Sequence, residues 1–248
     1  MKFRRFLRRF LLCAAGLYVL TCLAGCVVVN RAMFHPPADS DFSRVDTVWV
    51  GDGVSGVWSP VPNARKTVLY SHGNAEDVSR CGSRIRNFNA LGYSVLVYDY
   101  PGYGQSTGKP TERGVYDAAD SAYAFLTEKQ GLAPSDILVV GYSIGSGPAC
   151  YLAEKYPVGS LVLLAPFKSA IRVVTGIRLL PYDPFPNLAR IRNVKCPIFI
   201  YHGTADRVVP FSHGKALAEA RPDAFFFPIP DANHFRLESL LGPALWLE

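Results

Sequence analysis

The residues that could do chemistry stand just past short apolar runs. Ser143 follows "ILVVGY", Asp206 follows "IFIYHGTA", and His234 follows "FFFPIPDAN". A serine hydroxyl is a weak nucleophile until an imidazole takes its proton. The imidazole in turn needs a carboxylate to fix its tautomer and stabilise its cation. Serine, then aspartate, then histidine is a set able to perform acyl transfer. Gly141 and Gly145 bracket Ser143 two positions away on each side. A sharp strand-to-helix turn needs that spacing, because side chains there would meet neighbouring backbone. The central serine is then strained, with its hydroxyl held out at the end of a sheet.

Other readings of these residue types are plainer. Asp183 or Asp231 could supply the carboxylate in place of Asp206. His72 and His202 each precede a glycine at a strand end and read as structural hydrogen-bonders. His35 lies in a lead-in segment, and His213 opens a helix. Only His234 follows the last strand on a loop. "GYGQSTGK" tempts a phosphate-loop reading, but its glycine spacing is wrong and Pro110 follows at once. No metal-ligand cluster appears, and no cofactor is expected.

The elements that must position these residues alternate in type. "DTVWV" and "GVSGVW" read as an opening hairpin. "KTVLYSHG", "YSVLVYDY", "ILVVGY", "SLVLLAP", "CPIFIYHG" and "AFFFPIP" read as further strands. Helices are expected over 75–91, over 111–130 with Thr111 as N-cap and Gly131 as stop, from the serine turn to Tyr156, near 211–220 and over 234–247. This alternation predicts an α/β fold with a mostly parallel central sheet and helices on both faces. Functional residues of such sheets gather at the carboxyl ends of strands. Residues 167–195 form an insertion after the sixth strand, read as a packed amphipathic helix or a small lid.

The chain has 248 residues, enough for one domain with a large core. Its formal charge of +6 is local. Residues 1–25 hold five basic residues and no acid, leaving 21 basic against 20 acidic residues in the rest. That balance gives no basic face for nucleic acid. The charged start, the apolar run and Leu23-Ala24-Gly25-Cys26 have the layout of an export signal, and the last four resemble a bacterial lipobox that lipidates Cys26. The rival reading is an uncleaved transmembrane anchor, since residues 10–29 carry no charge and about 20 residues span a bilayer. Either reading tethers the globular part to a membrane, outside the cytoplasm. The expected divisions are 1–26 as signal or anchor, 27–45 as linker, and 46–248 as the folded domain. Cys81, Cys150 and Cys196 sit among apolar residues and read as buried free thiols.

"LYSHGNAED", "YDYPGYGQSTGKPTE", "GYSIGSGPA", "LLAPF", "LPYDPFPN", "CPIFIYHGTADRVVP" and "ANH" together resemble the α/β-hydrolases. More narrowly, the chain is similar to the membrane-tethered α/β-hydrolase-domain depalmitoylase-like group and its bacterial relatives. The resemblance implies a triad of Ser143, Asp206 and His234, and an oxyanion hole made by the backbone N–H groups of Asn74 and Ile144. It implies a serine hydrolase acting on esters or thioesters with an apolar acyl group. A serine aminopeptidase-like amide hydrolase and a catalytically silent scaffold of the same fold are the alternatives. The expected partners are a small or lipid-like acyl substrate and, through the N-terminus, a membrane.

Overall fold

The structure is a computed structural model. It describes residues 2–175 and 182–237, without the side chains of residues 2, 6, 7, 23, 24, 26–32 and 174. A long helix, α1 (Lys2–Met33), comes first. It runs through residues 27–33, where the sequence reading placed a linker. No glycine or proline interrupts that stretch, and Pro36-Pro37 ends it soon after by disfavouring helical backbone before them. The irregular path therefore begins only at Phe34. Among the described residues, no helix is long and apolar enough to cross a membrane. The side chain of Cys26 lies outside the described residues.

One eight-stranded sheet follows: β1 (Val48–Gly51), β2 (Val54–Ser59), β3 (Thr67–Ser71), β4 (Ser94–Tyr98), β5 (Ile137–Tyr142), β6 (Ser160–Leu164), β7 (Ile198–Gly203) and β8 (Phe225–Ile229). Their order is β1-β2-β4-β3-β5-β6-β7-β8. β1 and β2 form the expected hairpin, and β2 runs antiparallel to β4. All pairings from β4 to β8 are parallel. The apolar runs of β3, β4, β5 and β6 are buried on both faces. Alternate residues serve opposite sides: Leu69 and Val139 join one buried cluster, while Val68, Tyr70 and Val140 join the other. This is the two-residue period of a strand with helices on both faces.

Helices α2 (Gly82–Ala90), α3 (Glu112–Ala124), α4 (Ser146–Lys155), α5 (Ala170–Thr175), α6 (Asn187–Arg190) and α7 (Ser212–Ala220) are the further helices of the described residues. Ile85 and Phe88 of α2 pack into one cluster; α3, α4 and Leu217 of α7 pack into the other. Thr111 caps α3, its hydroxyl accepting the Gly114 N–H at 3.0 Å. α3 then loosens into a π-turn over Phe125–Lys129, and Gly131 stops it with φ +67°. The expected helix over 75–91 is shorter, with a separate 3₁₀ turn at Val78–Arg80. The helix expected over 234–247 falls mostly outside the described residues. In the insertion, α5 and α6 flank residues 176–181, which are also outside them. Cys81 and Cys150 are buried free thiols, and Cys196 is half-buried.

Candidate active site

β5 delivers Ser143 to the middle of the carboxyl edge of the sheet. Ser143 has φ +53°, a left-handed conformation that costs a non-glycine residue energy. The turn is tight on both sides. A Cβ on Gly145 would lie 2.0 Å from the Ser71 carbonyl oxygen, and one on Gly141 would lie 2.4 Å from the Gly145 carbonyl oxygen. Only glycine fits at either place, so the G-Y-S-I-G spacing is a steric requirement of this strand-to-helix turn.

His234 comes from the loop after β8. Its Nε2 lies 3.0 Å from Ser143 Oγ, and its Nδ1 lies 2.7 Å from Asp206 Oδ2. A carboxylate only accepts, so Nδ1 carries the ring proton and Nε2 presents its lone pair to the serine hydroxyl. Asp206 follows β7. Its Oδ1 accepts the backbone N–H groups of Val208 and Val209, both at 2.9 Å, which fixes the carboxylate while leaving Oδ2 for the histidine. Asp206 and His234 are buried, whereas Ser143 is only half-buried. The loops that carry Asp206 and His234 are also joined to each other. Thr204 N–H donates to the Ile229 carbonyl at 3.0 Å, Ala205 N–H to the Ala232 carbonyl at 3.1 Å, and Asp231 N–H to the Thr204 hydroxyl at 3.0 Å.

The other carboxylates weighed from sequence lie elsewhere. Asp183 pairs with Arg172 Nη2 at 2.7 Å, and Asp231 sits at a turn with φ +55°. Neither meets a His234 nitrogen. His202 lies behind the acid, with Nε2 2.9 Å from the Val209 carbonyl and 3.6 Å from Asp206 Oδ2. Burial pushes its imidazole below the ordinary range. His72 and His202 are therefore fully buried scaffold residues, as their position before a glycine suggests.

Asn74 follows β3, and Ile144 adjoins Ser143 at the start of the turn. The bonds around Asn74 had no reading in the sequence. The Asn74 amide engages Met33, His35 and Tyr103, while Glu76 Oε2 accepts the Gly73 N–H at 3.2 Å. Tyr103 stands between two glycines in "PGYGQ", after β4, and its hydroxyl reaches across to the loop after β3. Beside His234 lies a cavity of about 370 Å³ lined by Ala205, Arg207, Val208, Asn233 and Phe235. Phe235 is 77% exposed and meets the His234 ring edge-on at 5.5 Å.

This arrangement stands on a sheet with known counterparts. Residues 66–187 match the family described as the alpha/beta hydrolase fold. Alpha/beta hydrolase domain-containing protein 17B of Homo sapiens is 38% identical over 161 residues, which are 64% of this chain and 56% of that protein. Protein 17C of Mus musculus is 38% identical over 166 residues, 66% of this chain and 52% of that one. The chain thus spans little more than half the length of these relatives. Among solved structures, the Pyrococcus furiosus esterase Pf2001 superposes with a TM-score of 0.66 at 21% identity, covering 82% of this chain and 91% of that one. An alpha-beta serine hydrolase homologue from Coxiella burnetii gives 0.62 at 18%, covering 80% and 92%. These likenesses are of fold. The chain has the α/β-hydrolase fold.

Proposed function

We propose that this chain is a membrane-tethered serine hydrolase of carboxylic esters or thioesters with an apolar acyl group. The observation that carries the reading is the unbroken line from Asp206 Oδ2 to His234 Nδ1 at 2.7 Å and from His234 Nε2 to Ser143 Oγ at 3.0 Å. In this reading Ser143 attacks the substrate carbonyl as His234 takes its proton. Asp206 holds the imidazole and stabilises the cation. The N–H groups of Asn74 and Ile144 bind the oxyanion, where such donors act most strongly because they are fixed before the charge forms. His234 then protonates the leaving alcohol or thiol. Water, deprotonated by His234, attacks the acyl-serine and releases the carboxylic acid.

The apolar acyl preference rests on the membrane-like leader and on the exposed Phe235 and Val208 at the cavity rim. The tether rests on the sequence of residues 1–26, with Cys26 as the lipidated residue. Intact mass of membrane-extracted protein tests it: a species starting at Cys26 with added lipid supports the lipoprotein, and an unmodified full-length chain refutes it. For the chemistry, labelling with a fluorophosphonate probe should map to Ser143. Nitrophenyl esters from acetate to palmitate, run beside aminoacyl anilides, should show ester turnover rising with acyl length and little anilide turnover. Preferred cleavage of anilides would replace this reading with an aminopeptidase-like one. Absence of both labelling and turnover would indicate a silent scaffold.

A further inference from the structure

Both polar atoms of the Asn74 side chain are engaged, and their partners are unexpected. Its Oδ1 accepts the His35 N–H at 3.0 Å and the Tyr103 hydroxyl at 2.6 Å, and its Nδ2 donates to the Met33 carbonyl at 2.8 Å. The His35 N–H is also 3.0 Å from the Tyr103 hydroxyl oxygen, which closes a three-membered ring of bonds. Met33 is the last residue of α1. The first residues past the leader helix are thus bonded to the residue whose backbone N–H faces the reacting oxygen in the proposed mechanism.

The clamp is rigid on both sides. Tyr103 is fully buried, and burial raises its phenol far above the ordinary range, so it remains a donor. Between the two bonded backbone groups, Phe34 is 5% exposed and meets Phe185 edge-on at 6.2 Å. Phe34 and Phe185 share one buried cluster with Ile144, the second oxyanion donor. The preceding peptide is held as well: His72 Nδ1 lies 2.8 Å from the Gly73 carbonyl oxygen, so that nitrogen carries a proton and donates it. In a planar trans peptide the carbonyl and the following N–H point opposite ways. Fixing the Gly73 carbonyl at one end and the Asn74 side chain at the other leaves the Asn74 N–H little freedom.

We propose that the strap Met33–His35 is a positioning element of the oxyanion hole, so that turnover by the hydrolase body depends on the segment linking it to the leader helix. This rests on the serine-hydrolase reading above. Loss of one oxyanion donor typically costs about 10²–10³ in turnover. A donor that is present but loosened should cost part of that, roughly 10- to 100-fold.

The test uses the full chain in detergent with Tyr103→Phe, which removes one oxygen, and Phe34→Ala, with Phe34→Leu as the conservative variant. Three quantities are read: kcat and KM on a short soluble nitrophenyl ester, the affinity of a trifluoromethyl ketone whose addition to Ser143 creates an oxyanion, and the affinity of the matching alcohol, which cannot add. The expected result is a fall in kcat with KM nearly unchanged, an equal fall in ketone affinity, unchanged alcohol affinity, and recovery in Phe34→Leu. Unchanged kcat and ketone affinity in folded Tyr103→Phe protein would overturn the proposal even if Phe34→Ala fails to fold. Equal losses for ketone and alcohol would also overturn it, since a general disturbance acts on both. A wild-type activity that survives Ser143→Ala is a different failure: it removes the serine-hydrolase reading itself, and this proposal with it.

Discussion

Two of the histidine–aspartate pairs at the carboxyl edge of the same sheet differ in kind. In one, His234 Nδ1 is 2.7 Å from Asp206; in the other, His72 Nε2 is 3.4 Å from Asp99, without hydrogen-bond geometry. His72 and Asp99 are the more deeply buried, both fully enclosed. The difference that matters is at the far nitrogen of each ring. His234 offers Nε2 to a half-exposed hydroxyl, while His72 spends Nδ1 on the Gly73 carbonyl at 2.8 Å. Asp99 likewise spends Oδ1 on the Val78 N–H at 2.9 Å. In the proposed mechanism the same residue types make a proton relay where one ring nitrogen is open to the serine, and a strut where both ends meet backbone.

The largest effect should come from the open pair's substrate side. Ser143→Ala should lower turnover by up to about 10⁶ with the fold retained, because triad members act as a unit. Steady-state ester hydrolysis checks this, and near-normal turnover would mean that the relay has another end. Next, Asp206→Asn should slow a folded enzyme by about 10⁴ by presenting the wrong tautomer to Ser143. The contrast sharpens with Asp99→Asn, which should act on stability instead. It should cost about 1–3 kcal/mol in denaturant unfolding, the range for disturbing a buried hydrogen-bonded group. Turnover per folded molecule should fall far less than in Asp206→Asn; a comparable fall would erase the distinction between relay and strut.

The smallest effect concerns a histidine that pairs with no acid among the described residues. Burial first, then the charges of Lys168, His202 and Arg172, push His213 down to about 4. Its ordinary value is near 6.5. Between those limits the unfolded chain binds more protons than the folded one, so stability is full above about pH 6.5 and declines as pH falls toward 4. The slope from this group is at most about 1.4 kcal/mol per pH unit. Urea midpoints at pH 7, 6 and 5 should show it, and His213→Gln should flatten the trend.

The three aligned residues Ser143, His234 and Asp206 were legible in the sequence because each follows a strand and the serine turn has a steric signature. The glycines at 141 and 145 face backbone oxygens, and backbone contacts of that kind leave a fixed pattern in the chain. The strands were legible for the same reason, since burial on both faces requires continuous apolar runs. The choice of Asp206 over Asp183 and Asp231 was open, because orienting a carboxylate toward a ring depends on loop paths that spacing does not encode. The Asn74 clamp was invisible: its bonds join residues 29 to 68 apart, and an irregular strap carries no periodicity. The continuation of α1 to Met33 was missed because a leader pattern says where a helix begins and little about where it ends.

The proposed base, His234, stands on the loop that follows the last strand, β8. β8 has one neighbour, and Phe225 is 54% exposed, whereas the strands that carry Ser143 and its flanks are buried on both faces. Structure at an edge opens at lower free energy than the centre of a sheet. Detaching β8 would carry His234 away from an intact Ser143 without melting the body. On warming, hydrolysis should therefore fade reversibly below the cooperative transition, while amide protons of β3 and β5 still resist exchange. Heat sensitivity of function would then report the grip of one strand, and stiffening that edge alone would widen the working temperature range without raising the melting point.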